Sequence, residues 1–311
     1  MKAPFPWFGG KRRVAPEVWA ALGDVDNYVE PFGGSLAVLL ERPATHTRRA
    51  ETVNDADGYI ANFWRAVAAD PETVAHYCDW PVNETDLFAR HLWLVNTGKS
   101  ILLAGLENDP EFYDAKIAGW WCWGICSWIG SGWCTGTGPH TLGDAGRGVN
   151  RQLPHLGDAG RGVNRNNSGN LYGYMRQLAD RLRNVRICAG DWTRVVTTGA
   201  LDYGTTVGIF LDPPYLGDVR TADLYTVDDH TIAHAVREWA LNDGDNPRYR
   251  IVLAGYADEH DHLIPDTWRR HSWSAAGGYA TATSAGSTNR HGETLWMSPH
   301  CHNPQPTLFA P

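Results

Sequence analysis

The chain lacks several features that would place it at once. None of its uninterrupted apolar runs is long enough for a helical membrane span, which argues against a membrane protein. Its start, Met1-Lys2-Ala3, has no basic, apolar and small-residue signal pattern. Cysteine is sparse, with six residues at irregular spacing, so neither a disulfide framework nor a paired zinc site is indicated. These absences together suggest reduced thiols and a cytoplasmic location. A general basic excess is also missing. Lys and Arg number 27 against 35 Asp and Glu, a formal net charge of −8. That excludes a protein basic all over, yet leaves nucleic acid binding open, because the local field decides. What is present is an apolar share of 43%, a charged share of 20% and 15 tryptophans, in a chain of 311 residues. This describes a soluble globular protein with one large core, or one core plus an inserted subdomain.

The most informative residues are Asp212-Pro213-Pro214-Tyr215, directly after the apolar run Val207–Leu211. Two prolines remove two backbone N–H donors and fix φ, so the chain leaves a buried strand rigidly with its carbonyls free to accept. Asp212 and the Pro213 carbonyl can accept the two hydrogens of an amino group while Tyr215 stacks on the attached ring. A plain strand-terminating turn is the alternative.

Regular α/β pattern surrounds this motif. Near the N-terminus, Pro6-Trp7-Phe8-Gly9-Gly10-Lys11 is a glycine turn between aromatics and a lysine. Asn27–Glu30 reads as a strand running into Pro31-Phe32-Gly33-Gly34-Ser35, followed by an apolar helix. Strand, glycine loop and helix form the doubly wound nucleotide-site pattern, though not the strict G-x-G-x-x-G. Val53-Asn54-Asp55 looks like the end of the next strand, with Ile60, Phe63, Trp64 and Val67 on one helical face after it. An acid at Asp55 is placed to bond ribose hydroxyls; the alternative is a helix cap. Val185–Asp191 resembles a further strand, Ile232, Val236, Trp239 and Ala240 share a helical face, and Tyr249–Leu253 is another strand. Glu293–Met297 is a candidate final strand.

The middle differs. A tryptophan-rich stretch, Trp120 to Trp133, reads as the core of a small subdomain, with base stacking as the alternative. Cys122, Cys126, Cys134 and His140 carry zinc-type donors, but their spacing fits no paired site, and no metal is expected. Leu-Gly-Asp-Ala-Gly-Arg-Gly-Val-Asn-Arg occurs at Leu142–Arg151 and again at Leu156–Arg165, a period of 14 that makes a duplicated loop rather than a solenoid. Between Leu142 and Arg186, eight arginines face only Asp144, Asp158 and Asp180. Arg147, Arg151, Arg161 and Arg165 of the duplicated loop are therefore candidates for DNA phosphate contacts, against the reading of a solvated loop.

The motifs PFPWFGGKR (Pro4–Arg12), YVEPFGGS (Tyr28–Ser35), NDAD (Asn54–Asp57) and DPPY (Asp212–Tyr215), in this order, resemble the D12 class of DNA N6-adenine methyltransferases, the Dam-like enzymes. The resemblance covers about the first 70 residues and about 185–260. The run W-I-G-S-G-W-C and the repeated G-R-G-V-N-R look more like phage-encoded relatives.

The family implies an α/β class I, Rossmann-like methyltransferase sheet and S-adenosylmethionine as methyl donor; the middle block, read as an inserted target-recognition region, does not align with the DNA-reading domain of typical members. The expected division is a discontinuous catalytic domain, 1–65 and 185–311, and an insert at 66–184. Carried over, Trp7 and Lys11, with Gly9 and Gly10 between them, would hold the donor's amino-acid end, Lys11 by pairing with its carboxylate. Glu30, Phe32, Gly33, Gly34 and Ser35 would line the donor pocket, Asp55 would bind the ribose, and Asp191 would meet the donor's adenine amine. Asp212, Pro213, Pro214 and Tyr215 would grip the target base between them, with Asp212 facing the donor. Phe8 departs from the small residue many members carry, and Gly33-Gly34-Ser35 varies the usual loop.

The implied activity is site-specific adenine-N6 methylation of double-stranded DNA on a flipped-out base, in a bacterial or phage-infected cytoplasm. A cognate restriction endonuclease is a further candidate partner. The alternatives are a cytosine-N4 methyltransferase, which more often carries Ser in place of Asp212, and a DNA-binding relative that has lost catalysis.

Overall fold

A computed structural model describes residues 1–7, 11–47, 50–128, 133–134, 170–214, 229–273 and 293–303. Its centre is a seven-stranded sheet. In chain order the strands are β1 (Asn27–Glu30), β2 (Ala50–Asp55), β3 (Val185–Ala189), β4 (Val207–Leu211), β5 (Tyr249–Tyr256), β6 (Arg269–Ser272) and β7 (Glu293–Met297). Their spatial order is β3-β2-β1-β4-β5-β7-β6. The first five in that row run parallel, and β7 is antiparallel to both β5 and β6. The chain winds outward from β1 to β3, then returns to β4 on the other side of β1. That reversal between β1 and β4 is where open α/β sheets bind ligands, outside the carboxyl ends of the strands.

The central strands form because both of their faces are covered. β1 and β4 are buried at every position. Side chains alternate between two apolar layers with the two-residue period of a strand. Tyr28, Phe210, Val252, Ala254 and Leu295 join one layer. Val29, Ile209, Leu211, Ile251, Leu253 and Trp296 join the other.

The helices are α1 (Ala15–Leu22), α2 (Ala37–Leu40), α3 (Gly58–Ala69), α4 (Pro71–Cys78), α5 (Glu84–Trp93), α6 (Lys99–Asn108), α7 (Ala115–Ser127), α8 (Leu171–Leu182), α9 (Thr198–Leu201), α10 (Asp229–Asp243) and α11 (Ala257–His260). Their starts follow local chemistry. Asp57 caps α3 by accepting the Tyr59 N–H at 2.7 Å, Asp70 caps α4 ahead of Pro71, and Asp114 caps α7 through the Ile117 N–H at 2.8 Å. The expected α3 face is buried, with Ile60, Phe63, Trp64 and Val67 all in the core.

The middle of the chain is not walled off from the sheet. Val74, Ala75 and Cys78 of α4, Ile117, Ala118, Trp121, Cys122 and Trp123 of α7, and Met175, Leu178 and Leu182 of α8 belong to the same buried layer as Phe63, Trp64 and Tyr28. The expected division at 65/66 falls inside α3, whose Ala66 and Val67 are fully buried. The tryptophan-rich stretch lies largely on α7 and is core, as read from the sequence: Trp121, Trp123 and Trp133 are buried. Trp123 donates its indole N–H to the Trp80 carbonyl at 2.9 Å, and Trp133 donates to the Trp121 carbonyl at 3.0 Å. Trp133 lies so close to Gly124 that a Cβ there would sit 1.8 Å from its ring, so only glycine fits. Cys78, Cys122, Cys126, Cys134, Cys188 and Cys301 are free thiols.

The arginine-rich stretch is corrected in part. Arg181 on α8 is buried against Glu51 of β2, at 2.6 and 2.9 Å, and Arg42 reaches the same carboxylate at 3.1 Å. Arg176 pairs with Glu72, and Arg183 with Asp180 at 2.8 Å. With acidic partners already in place, these three add little to a field for phosphate. Arg147, Arg151, Arg161 and Arg165 lie outside the described residues.

Candidate active site

At the carboxyl edge of the sheet the strand ends are brought together. β1 ends on Glu30 and opens into Pro31–Leu36. The loop is built around Gly34, at φ +47°, where a Cβ would meet the Trp7 indole at 2.6 Å. Trp7 thus closes on the loop from one side. From the other, Trp64 of α3 donates its indole N–H to the Gly34 carbonyl at 2.8 Å. Phe5, Phe63 and Trp121 pack around Trp7 and Trp64, with the Phe5 and Trp121 ring centroids 4.9 Å apart. The N-terminal segment is in this way fastened to both the sheet and α7.

Asp55, at the end of β2, receives the Gly34 N–H and the Asp57 N–H, each at 2.8 Å. It is therefore not the cap of α3, a role taken by Asp57. Instead it holds the glycine loop. Burial, then the neighbouring Asp57 charge, raises its carboxyl to about 7. Glu30 accepts the Tyr28 hydroxyl at 2.9 Å, and burial raises it to about 8, with Asp212 adding to the rise. Gly33 donates to the Asn54 carbonyl at 2.8 Å, and Ser35 is buried.

Asn54 has no role assigned by sequence, yet it ties three loops together. Its amide donates to the Pro31 carbonyl at 3.0 Å and to the Gly190 carbonyl at 2.9 Å. Its own oxygen is buried with no hydrogen-bond partner among the described residues. Asp191 lies at the end of β3 and caps the turn that follows, accepting the Thr193 N–H at 2.9 Å. Phe32 lies 6.1 Å from Trp192, an aromatic wall between the β1 and β3 loops.

Asp212 and the two prolines follow β4 directly, with Pro213 buried. The Lys11 ammonium lies 3.0 Å from the Asp212 carboxylate and 3.9 Å from Glu293, the first residue of β7. The family resemblance pairs Lys11 with the donor's carboxylate. Here it is held by two carboxylates of the protein, with its side chain only 3% exposed. Glu293 is not marked in the sequence, where a strand start carries no motif. Gly9, Gly10 and Tyr215 lie outside the described residues.

The edge is therefore acidic. Asp212 and Glu293 flank the Lys11 ammonium, Glu30 feels the charges of Asp212 and Asp55, and Asp55 that of Asp57. Such a cleft favours a cationic ligand and an acceptor-hungry amine, and its glycine loop lets a ligand approach the backbone.

Residues 7–91 match the family model of the D12 class N6 adenine-specific DNA methyltransferase. Over this stretch the chain is similar to the adenine-specific DNA methyltransferases of this class. The match spans the sequence motifs from Trp7 through Asp57 and continues to His91 on α5. No curated protein matches the chain. The seven-stranded, mostly parallel sheet with its helices is consistent with a Rossmann-like methyltransferase fold. No helix among the described residues is long and apolar enough to cross a membrane.

Proposed function

We propose that the protein is a methyltransferase that takes its methyl group from S-adenosylmethionine and transfers it to the N6 amine of an adenine flipped out of double-stranded DNA. The observation that carries this reading is the position of Asp212. It follows the strand beside the topological switch, within reach of Lys11 and on the same edge as Glu30 and Asp55. When bound, the donor supplies an electrophilic methyl group on a sulfonium centre.

The residues fit such a donor. With a sulfonium, an ammonium and a carboxylate it carries one net positive charge, and the carboxyl edge is rich in buried acids. Glu30 and the loop Phe32-Gly33-Gly34-Ser35 line its pocket, with Trp7 and the Gly9-Gly10 turn closing over the amino-acid end. Asp55 faces the ribose and Asp191 the donor's adenine. The partial neutralisation of Glu30 and Asp55 by burial is what a cation would reverse.

An aromatic amine is a poor nucleophile because its lone pair is delocalised into the ring. Asp212 and the Pro213 carbonyl accept its two hydrogens and favour a more tetrahedral nitrogen with its lone pair exposed. Their contribution is orientation, and a field ready for the positive charge that builds on nitrogen. Pro214 stiffens the turn, and Tyr215 stacks on the extruded base, offsetting part of an unstacking cost of a few kcal/mol. Arg147, Arg151, Arg161 and Arg165 hold phosphates on either side.

The test is Asp212→Ala, assayed on DNA that lacks adenine methylation. Its single-turnover rate should fall by about 10²–10³, the usual cost of one transition-state contact, with the fold kept. Resolving N6-methyladenine from N4-methylcytosine in wild-type product settles the target base. Near-normal transfer by Asp212→Ala would remove this residue from the chemistry.

A further inference from the structure

The proposed chemistry leaves one buried acid at the site without a task. Glu293 opens β7, and only the antiparallel direction of that strand brings it to the carboxyl edge, opposite Tyr256 at the far end of β5. Its side chain is 8% exposed, and its nearest charge is the Lys11 ammonium at 3.9 Å. The start of the strand is pinned: the Trp273 N–H donates to the Glu293 carbonyl at 3.0 Å, and the Trp273 ring lies 6.0 Å from the same ammonium. Burial and the Asp212 charge push the Glu293 carboxyl up while Lys11 pulls it down. A buried charge in a strand costs stability unless it is paired, and apolar residues commonly replace such pairs without loss. A functional reason for the acid is therefore worth seeking.

Lys11 creates the difficulty that Glu293 answers. An ammonium 3.0 Å from the oxygen that must accept the target amine weakens that acceptor. It also repels the positive charge that builds on nitrogen in the transition state. A carboxylate on the other flank of the ammonium opposes both effects. We infer that Glu293 is a positioning residue of the methyl-transfer site, acting through Lys11: it draws the ammonium off Asp212 as the amine enters and offsets its charge. This rests on Asp212 as the amine acceptor and adds a group from β7 that no motif marks.

Glu293→Gln keeps the shape and removes the charge. With the ammonium left on Asp212, the single-turnover rate should fall by about tenfold or more, short of the roughly 10²–10³ that loss of the Asp212 contact itself costs. Donor affinity measured by calorimetry without DNA should stay within about threefold, and Glu293→Asp should recover part of the rate. In a Lys11→Met background the same Glu293→Gln change should cost less than about threefold, because the group acts through the ammonium.

A readout independent of turnover uses the small number of lysines, which are Lys2, Lys11, Lys99 and Lys116. In protein carrying ¹³Cε-lysine and S-adenosylhomocysteine, added duplex DNA should shift the Lys11 signal in the wild type and leave it unmoved in Glu293→Gln. A wild-type rate for Glu293→Gln, or an equal cost with and without Lys11, overturns the inference. Should Glu293→Gln not fold, Glu293→Met takes its place, and a wild-type rate or an equal cost with and without Lys11 overturns the inference instead. Normal transfer by Asp212→Ala would mark a different failure, that of Asp212 as the amine acceptor.

Discussion

Asp55 and Glu30 set a pH dependence that runs in opposite directions with and without donor. Both carboxyls titrate high in the donor-free protein, Asp55 at about 7 and Glu30 at about 8. A carboxyl raised above its unfolded value holds its proton more tightly in the native state. It therefore contributes stability that is full below about pH 4 and is lost as pH rises through about 7 and 8. A cationic donor prefers the ionised forms, so its affinity should increase over the same window. Melting curves between pH 6 and 8.5 should show the donor-free transition falling and the donor-induced rise growing. A donor effect that is flat across this range would displace these acids from the pocket. At fixed pH, Asp55→Ala should weaken donor binding by about 1–3 kcal/mol, measured by calorimetry without DNA. Part of that loss comes from the Gly34 N–H, which Asp55 now holds in place.

At the scale of elements, α8 is the clearest case of a segment whose role the sequence misdirects. Its arginines look like part of a basic loop when read along the chain. As a helix they are spaced to meet acids on neighbouring elements, Arg181 on Glu51 of β2 and Arg176 on Glu72 of α4. The Glu51 carboxylate is shared with Arg42, whose guanidinium also receives support from the Val25 and Thr47 carbonyls at 2.9 Å and lies 5.0 Å from the Trp19 ring. Arg181→Met should therefore destabilise the fold by about 3 kcal/mol, the low end for breaking a buried pair because Arg42 remains. For a chain of this size that corresponds to a fall of roughly 6 °C in Tm. Donor affinity should be unchanged, since the pair lies at the opposite end of β2 from Asp55. A change of less than about 1 °C would show that this pair carries no net stability.

β1, β4 and α3 were legible because their apolar periodicity and flanking glycines or prolines are local signals. β6 was not. Arg269–Ser272 is polar and half exposed, and it becomes a strand through pairing with β7.

For the whole molecule, DNA must engage a protein of formal net charge −8 whose catalytic edge is itself acidic. Phosphate binding by the duplicated loop, as proposed, would answer this need. Replacing Arg147, Arg151, Arg161 and Arg165 together with Ala should weaken binding similarly across DNA sequences. It should also flatten the salt dependence by about 0.9 in slope for each phosphate no longer neutralised, measured by titration at several salt concentrations. Binding that falls at one site while nonspecific affinity holds would make these arginines base readers. Unchanged affinity and slope would leave a solvated loop. Arg176 and Arg183 are exposed and already have acidic partners, so they are a fitting control pair for charge without phosphate binding.

What the sequence by itself determined is the chemistry at each strand end. The order of the Trp7–Lys11, Glu30–Ser35, Asn54–Asp57 and Asp212–Tyr215 motifs is written in contiguous residues, because strand burial, proline stiffness and glycine freedom act locally. The tertiary structure decided which of these ends meet. The place of β4 beside β1, the shared core of α4, α7 and α8 with α3, and the Lys11, Asp212 and Glu293 cluster all depend on pairings between residues far apart in the chain. Local periodicity carries no record of strand order or of an antiparallel return, so an acid such as Glu293 acquires its position only when the sheet is assembled.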